Sequence, residues 1–225
     1  MTKGNSIFKG FTPKTIQFFN DLEANNYKEW FEEHRSVYEQ ELLTPFKQLV
    51  TMLSPAMYNI DSRFELRPHR VLSRIYRDTR FSKDKSPYKN HMWITFQAPV
   101  GQWENYPGFF MELSATGYNY GMGLYMAKKK VMDDFRDRLE YDAKEFEKNT
   151  TKNVLNRGFQ VCGEDYKRPL VNSLPEYFQP WYQKKSVYVW KNCPIGDEVF
   201  STRFADILRE DFEALTWLYN FMKED

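Results

Sequence analysis

Apolar residues recur at helical spacing at both ends of this chain and at every second position in its middle, and few folds accommodate both. Near the start, Thr12-Pro13 supplies a cap and a first-turn proline, and Ile16, Phe19 and Leu22 follow at helical spacing. Asn26, with Glu29 three residues on, forms a capping-box-like pair for a second helix carrying Trp30, His34, Val37, Tyr38 and Leu42. Thr44-Pro45 opens a third stripe, Phe46, Leu49 and Leu53, which runs up to Pro55. The period then changes. Met92, Ile94 and Phe96 alternate with Trp93, Thr95 and Gln97; Phe109, Met111 and Leu113 repeat the pattern, and it resumes from Tyr118 to Met126 after the turn at 114–117. That predicts a hairpin in an antiparallel sheet with one face on the core. Gly121 and Gly123 fall on the other face, where glycine marks a bulge or a close approach; the bulge is the safer expectation.

Helical spacing returns with Met132, Phe135, Leu139 and Phe146, and Thr151 is placed to cap a short successor ending at Gly158. Residues 159–162 and 185–190 read as strands, residues 176–181 as a short helix. Phe204, Ile207, Leu208, Phe212, Leu215, Leu218 and Tyr219 form a final helical stripe. Helices at both ends of a run of strands favour an α+β fold over a βαβ sheet. The expectation is one domain, residues 11–225, with an antiparallel sheet of four to six strands packed against N- and C-terminal helices. Residues 1–10 read as a flexible tail.

With 41% hydrophobic and 18% aromatic residues in 225, the chain can build a large core. It has no run of apolar residues long enough to span a membrane and no apolar leader at its start. Its two cysteines, Cys162 and Cys193, lack paired spacing, which fits a reducing cytoplasm. Phosphate-cradling and dinucleotide-binding glycine motifs, the nucleophile elbow and the HExxH motif are all absent. His34, His69 and His91 are not at metal-ligand spacing, so no metal or cofactor is expected.

Charge is the least average property. The formal net charge is +1, yet Arg67 to His91 holds five arginines and three lysines against Asp78 and Asp84, a net +6 in 25 residues that leaves −5 for the rest. Arginine presents a planar fork suited to carboxylates and phosphates and keeps its charge at neutral pH. As a strand, the segment would hold Arg74 and Arg80 roughly 20 Å apart; as a helix, it would stack Arg70, Arg74 and Arg77 within about 11 Å. Ser86-Pro87 is a turn signal able to bring Lys83 to Lys89 back to the same place. The expected site is therefore Arg74, Arg77, Arg80, Lys83, Lys85 and Lys89 clamping the phosphate or carboxylate of a small molecule. Asp78 and His91 are the proton-transfer candidates if a reaction occurs there. The competing reading is an ion-pair network in which the two acids hold a loop in place. A nucleic-acid or protein interaction face ranks lower, because the acidic remainder opposes a broad electrostatic footprint.

The string RIYRDTRFSKDKSPYKNH (residues 74–91), preceded by NYKEWF (residues 26–31), resembles the bacterial and fungal family catalogued as domain of unknown function 2461. GMGLY at 121–125, Lys167-Arg168-Pro169 and Lys185-Ser186 fit the same resemblance, which runs from about Phe11 to the last helix. It implies that the central string is a family hallmark. The family has no assigned reaction, so the resemblance implies no catalytic residues.

Overall fold

In the computed structural model, which describes residues 7–99 and 106–223, the alternating segments form one antiparallel sheet. Strands β1 (His91–Phe96), β2 (Gly108–Ser114) and β3 (Tyr118–Gly123) make a meander. With β4 (Gln160–Cys162) and β5 (Tyr188–Cys193) the order is β1-β2-β3-β5-β4. One face is fully buried: Met92, Ile94, Phe96, Phe109, Met111, Leu113, Tyr120 and Met122 point into the core. The opposite face, with Trp93, Phe110, Glu112, Asn119, Tyr188 and Trp190, is half-buried. This is the inside-outside alternation that a period of two dictates.

Helices cover the buried face. The first are α1 (Pro13–Ala24), α2 (Lys28–Glu33) and α3 (Arg35–Val37); a wider π turn over Tyr38–Leu43 then leads into α4 (Thr44–Ile60). The short α5 (Pro68–Val71) borders β1. Next come α6 (Lys129–Tyr141), α7 (Ala143–Asn153) and the single turn α8 (Gln179–Tyr182), and α9 (Arg203–Ala214) and α10 (Thr216–Met222) close the chain. Helix α9 packs on α4 and β3. The contact of α9 and α10 with the sheet is largely aromatic: Phe109 meets Phe212 at 5.2 Å and Tyr219 at 5.6 Å between ring centres, and Tyr118 meets Phe204 at 4.9 Å. Each such ring, once buried, contributes about 1.5–3 kcal/mol of hydrophobic stabilisation.

Two carboxylates fasten this layer from inside. Asp211 on α9 accepts the Tyr120 hydroxyl at 2.6 Å and the Arg157 Nε at 2.8 Å, with Lys191 at 3.4 Å. Asp61, just past α4, accepts the Tyr219 hydroxyl at 2.6 Å and a forked bond from Arg63. Burial, and then the neighbouring carboxylate, push both tyrosine hydroxyls well above their ordinary range. The Arg63 side chain, with help from Tyr219, holds Asp61 below the usual carboxylate range against the opposing effect of burial.

Local readings depart from the structure at several points. Asn26 does not cap α2, whose cap is Tyr27; its amide is engaged elsewhere, as described below. Helix α4 passes through Pro55 and ends at Ile60. The stripe expected after Lys128 is two helices that meet at Asp142. The expected bulge at Gly121 and Gly123 is absent: both pair in continuous register, Gly121 with Phe110 and Trp190, Gly123 with Gly108 and Tyr188. A Cβ at Gly121 would overlap the Val189 carbonyl, and one at Gly123 would overlap Tyr188, so glycine here lets β5 close against β3. Of the segment read as a tail, residues 1–6 lie outside the described residues, whereas Phe8 is wholly buried against Phe11 at 5.5 Å.

Candidate functional site

The sheet's second face forms a cleft of about 650 Å³. Cross-strand register sets its layout. Trp93, Glu112, Asn119 and Asn192 form one row across β1, β2, β3 and β5. Thr95, Phe110, Gly121 and Trp190 form the next, and Gly108, Gly123 and Tyr188 the one beyond. Along the middle strand, positions 121 and 123 carry no side chain and the β5 backbone closes against them, so the floor there is bare backbone flanked by Phe110 on one side and Tyr188 and Trp190 on the other. Phe110 and Tyr188 meet edge to face at 6.3 Å. Flat apolar walls with a carboxylate and an amide at one end form a floor suited to a ring with a polar edge.

The rim is built from α5 and the strand edge. Ser73 donates its amide to the Trp93 carbonyl at 2.8 Å, and its hydroxyl oxygen accepts the Trp93 amide at 3.1 Å. This pins the segment beside β1 and sets Arg70 on the cleft wall. Arg70 is exposed, and no carboxylate pairs with it among the described residues. Across the cleft, the Arg63 guanidinium lies 4.3 Å from the centre of the Tyr106 ring, so the Asp61 clamp also fixes a wall.

The basic string lies beside this cleft as a hairpin, neither strand nor helix. Tyr76 bridges Tyr88, the Arg77 amide donates to the Pro87 carbonyl, and the Lys89 amide donates to the Ile75 carbonyl. Ser86-Pro87 does return the chain. Asn26 of the NYKEWF string holds the hairpin base, its amide bonding both backbone groups of Tyr88 at 3.0 Å while Phe31 stacks on the Tyr88 ring at 4.2 Å.

Among the expected clamp residues, Arg77, Arg80, Lys85 and Lys89 have separate partners, whereas Arg74 and Lys83 are exposed and pair with no carboxylate among the described residues. Arg77 pairs with Asp84, and Arg80 makes a forked pair with Asp78 at 2.6 Å. Lys85 donates to the Thr79 carbonyl at 2.9 Å, and Lys83 is exposed. Lys89 donates to the Arg74 carbonyl at 2.6 Å and lies 4.5 Å from the centre of the Trp93 ring; burial, and then the Arg74 charge, lower its ammonium below the ordinary range. Asp78 and His91 have different neighbours. The Arg80 side chain holds the Asp78 carboxyl down to about 2, which makes it a poor proton acceptor at neutral pH. His91 instead stacks on Trp93 at 5.5 Å, with Nε2 3.9 Å from Glu112 on the cleft floor. Glu112 in turn accepts the Asn119 amide at 3.3 Å.

Of the eight residues expected from the sequence, Lys89 and His91 are thus the two that contact a side chain of the cleft. Of the wall residues, Arg70 belongs to the charged segment read from the sequence, and Trp93, Phe110, Glu112, Asn119, Tyr188 and Trp190 are not among the expected ones. A signal for them existed: the same alternation that predicted the buried face assigns Trp93, Phe110, Glu112 and Asn119 to the other one. Among the described residues no group of three or more His, Cys, Asp or Glu is arranged to hold a metal. No described helix is long and apolar enough to cross a membrane.

Fold and cleft together define an α+β domain whose sheet buries one face under helices and keeps a second, aromatic face open beside a basic hairpin. The segments that carry the family resemblance border that face: the basic string adjoins Trp93, and GMGLY contributes Gly123 and Tyr125. The chain belongs to the family described as conserved hypothetical protein (DUF2461), whose model matches residues 14–221. No curated protein matches it.

Proposed function

We propose that the protein binds a small molecule carrying a ring with an apolar face and a carboxylate or phosphate, with the ring on the open sheet face and the anion at Arg70. The observation that carries this reading is the cleft of about 650 Å³ with aromatic walls and an arginine on its rim that no acid neutralises among the described residues. A guanidinium without a carboxylate partner favours an anionic ligand group, and aromatic walls favour a ring. Lys89 adds positive potential at the Trp93 end, and Glu112 with His91 is the pair positioned for proton transfer should the ligand react. The hairpin arginines Arg77 and Arg80 are not assigned to the ligand, because each is already paired with a carboxylate of the hairpin, Asp84 and Asp78.

Tryptophan fluorescence tests the reading, since Trp93 and Trp190 both line the cleft. Benzoate, phenyl phosphate and glucuronate are titrated in turn. At least one should give a saturable change that Arg70→Ala weakens and Trp190→Ala abolishes. Saturable binding that is indifferent to both substitutions would place the ligand elsewhere and refute the assignment.

A further inference from the structure

The cleft does not end at Trp190. A second, more polar hollow of about 520 Å³ adjoins it at the β2–β3 turn, and the two share Glu112, Asn119 and Trp190 as common walls. Ser114, Thr116, Gly117, Asn192, Cys193 and Pro194 form the remaining sides, and neither lysine nor arginine lines it among the described residues. The Ser114 hydroxyl is spent on the Gly117 carbonyl at 3.1 Å and accepts from the Thr116 hydroxyl at 3.2 Å, which leaves the Thr116 oxygen as an acceptor. The Asn192 amide, exposed at the strand end, has no partner among the described residues and offers both a donor and an acceptor.

Charge gives the groove a direction. Arg70 attracts an anion at one end, whereas the Glu112 carboxylate, between the two hollows, repels a second one. From β1 to β5 is three inter-strand steps, about 14 Å, which is longer than one pyranose ring. A ligand that fits therefore carries one acidic group, ring faces that are apolar enough to lie on tryptophan, and a far end rich in neutral hydrogen-bonding groups. Hydroxyls meet that last demand: they donate to carboxylate and amide oxygens and accept from amide N–H.

We propose that the open sheet face is a two-subsite groove for an acidic saccharide, with a uronate-type sugar between Arg70 and the aromatic walls and a neutral sugar held by Thr116, Asn119 and Asn192. The proposal rests on the cleft reading above and narrows its ligand to a class.

Calorimetric titration of the full chain with glucuronate, cellobiose and cellobiouronate (glucuronate linked to glucose) tests it. Cellobiouronate should bind about tenfold tighter than glucuronate, the effect of one or two added hydrogen bonds. Thr116→Ala combined with Asn192→Ala should erase that gain and leave glucuronate affinity unchanged; both positions are exposed, and the melting temperature checks that the fold is intact. Arg70→Ala should weaken both acids and leave cellobiose unaffected. Equal affinity for the two acids, or a ratio that survives the double substitution, overturns the second subsite. Arg70-dependent binding of benzoate or phenyl phosphate with no binding of any sugar overturns the saccharide class while the cleft reading stands. If none of these probes binds, both readings fail.

Discussion

Replacing Asp211 by alanine tests how the helical layer is held on the sheet. Asp211 is 5% exposed and Tyr120 is fully buried, so their 2.6 Å hydrogen bond is closed to water. Alanine would strand the tyrosine hydroxyl, at a cost of about 1–3 kcal/mol for an unsatisfied buried donor. It would also release Arg157 and Lys191, but their side chains are 37% and 30% exposed and can regain water. The sum falls at or below the low end of the range for breaking a buried ion pair, ~3 kcal/mol. For a chain of this size that lowers the melting temperature by about 2–12 °C. The decisive assay is a double-mutant cycle by urea denaturation. Tyr120→Phe should cost about 1 kcal/mol alone, and nothing, or a small gain, in the Asp211→Ala background, where the hydroxyl has already lost its acceptor. If Tyr120→Phe costs the same in both backgrounds, the bond is not what fastens α9 to the sheet.

Three further outcomes follow from the same geometry. Asp61 sits below the ordinary carboxylate value of 3.8, so its contribution is present above about pH 4 and is lost as the pH falls below it; Asp61→Asn should flatten the acid limb of the stability profile, measured by thermal melts across pH. Gly121→Ala should destabilise by about 1–3 kcal/mol through overpacking against the Val189 carbonyl, and amide exchange should accelerate first along β5. Arg77→Ala with Arg80→Ala should leave cleft binding intact and the melting temperature little changed, because Asp84, Asp78 and Arg80 are exposed and Arg77 is only half-buried; loss of ligand binding with an unchanged melt would return the anion site to the hairpin.

The sheet is legible in the sequence because β1 and β2 obey one local rule, apolar at every second residue, and their pairing needs only short connections. What local reading cannot supply is the partner of a polar side chain. Asn26 has the composition of a cap, yet its amide is taken by Tyr88, 62 residues away. A charge count finds residues 67–91 but not their pairing, in which Arg80 bonds a carboxylate two residues back and Arg77 one seven residues ahead. The cleft is the harder case. Trp93, Glu112, Asn119 and Trp190 are ordinary residues on three separate stretches of chain, and only register places them on one floor. Gly121 and Gly123 were the visible clue, and their close-approach reading is the one the structure bears out.

The placement of β5 has a kinetic consequence. Strands β1 to β3 can zip through short connections, but β5 must find β3 across the 64 residues between Gly123 and Tyr188. Closing so long a loop is slow, and until it happens β3 presents an unpaired edge able to recruit a neighbouring chain. One wall of the cleft, Phe110, is thus laid down early and the opposite wall, Tyr188 and Trp190, late. Only a fully folded chain has both, so occupancy of the cleft reports that the last long-range pairing is complete.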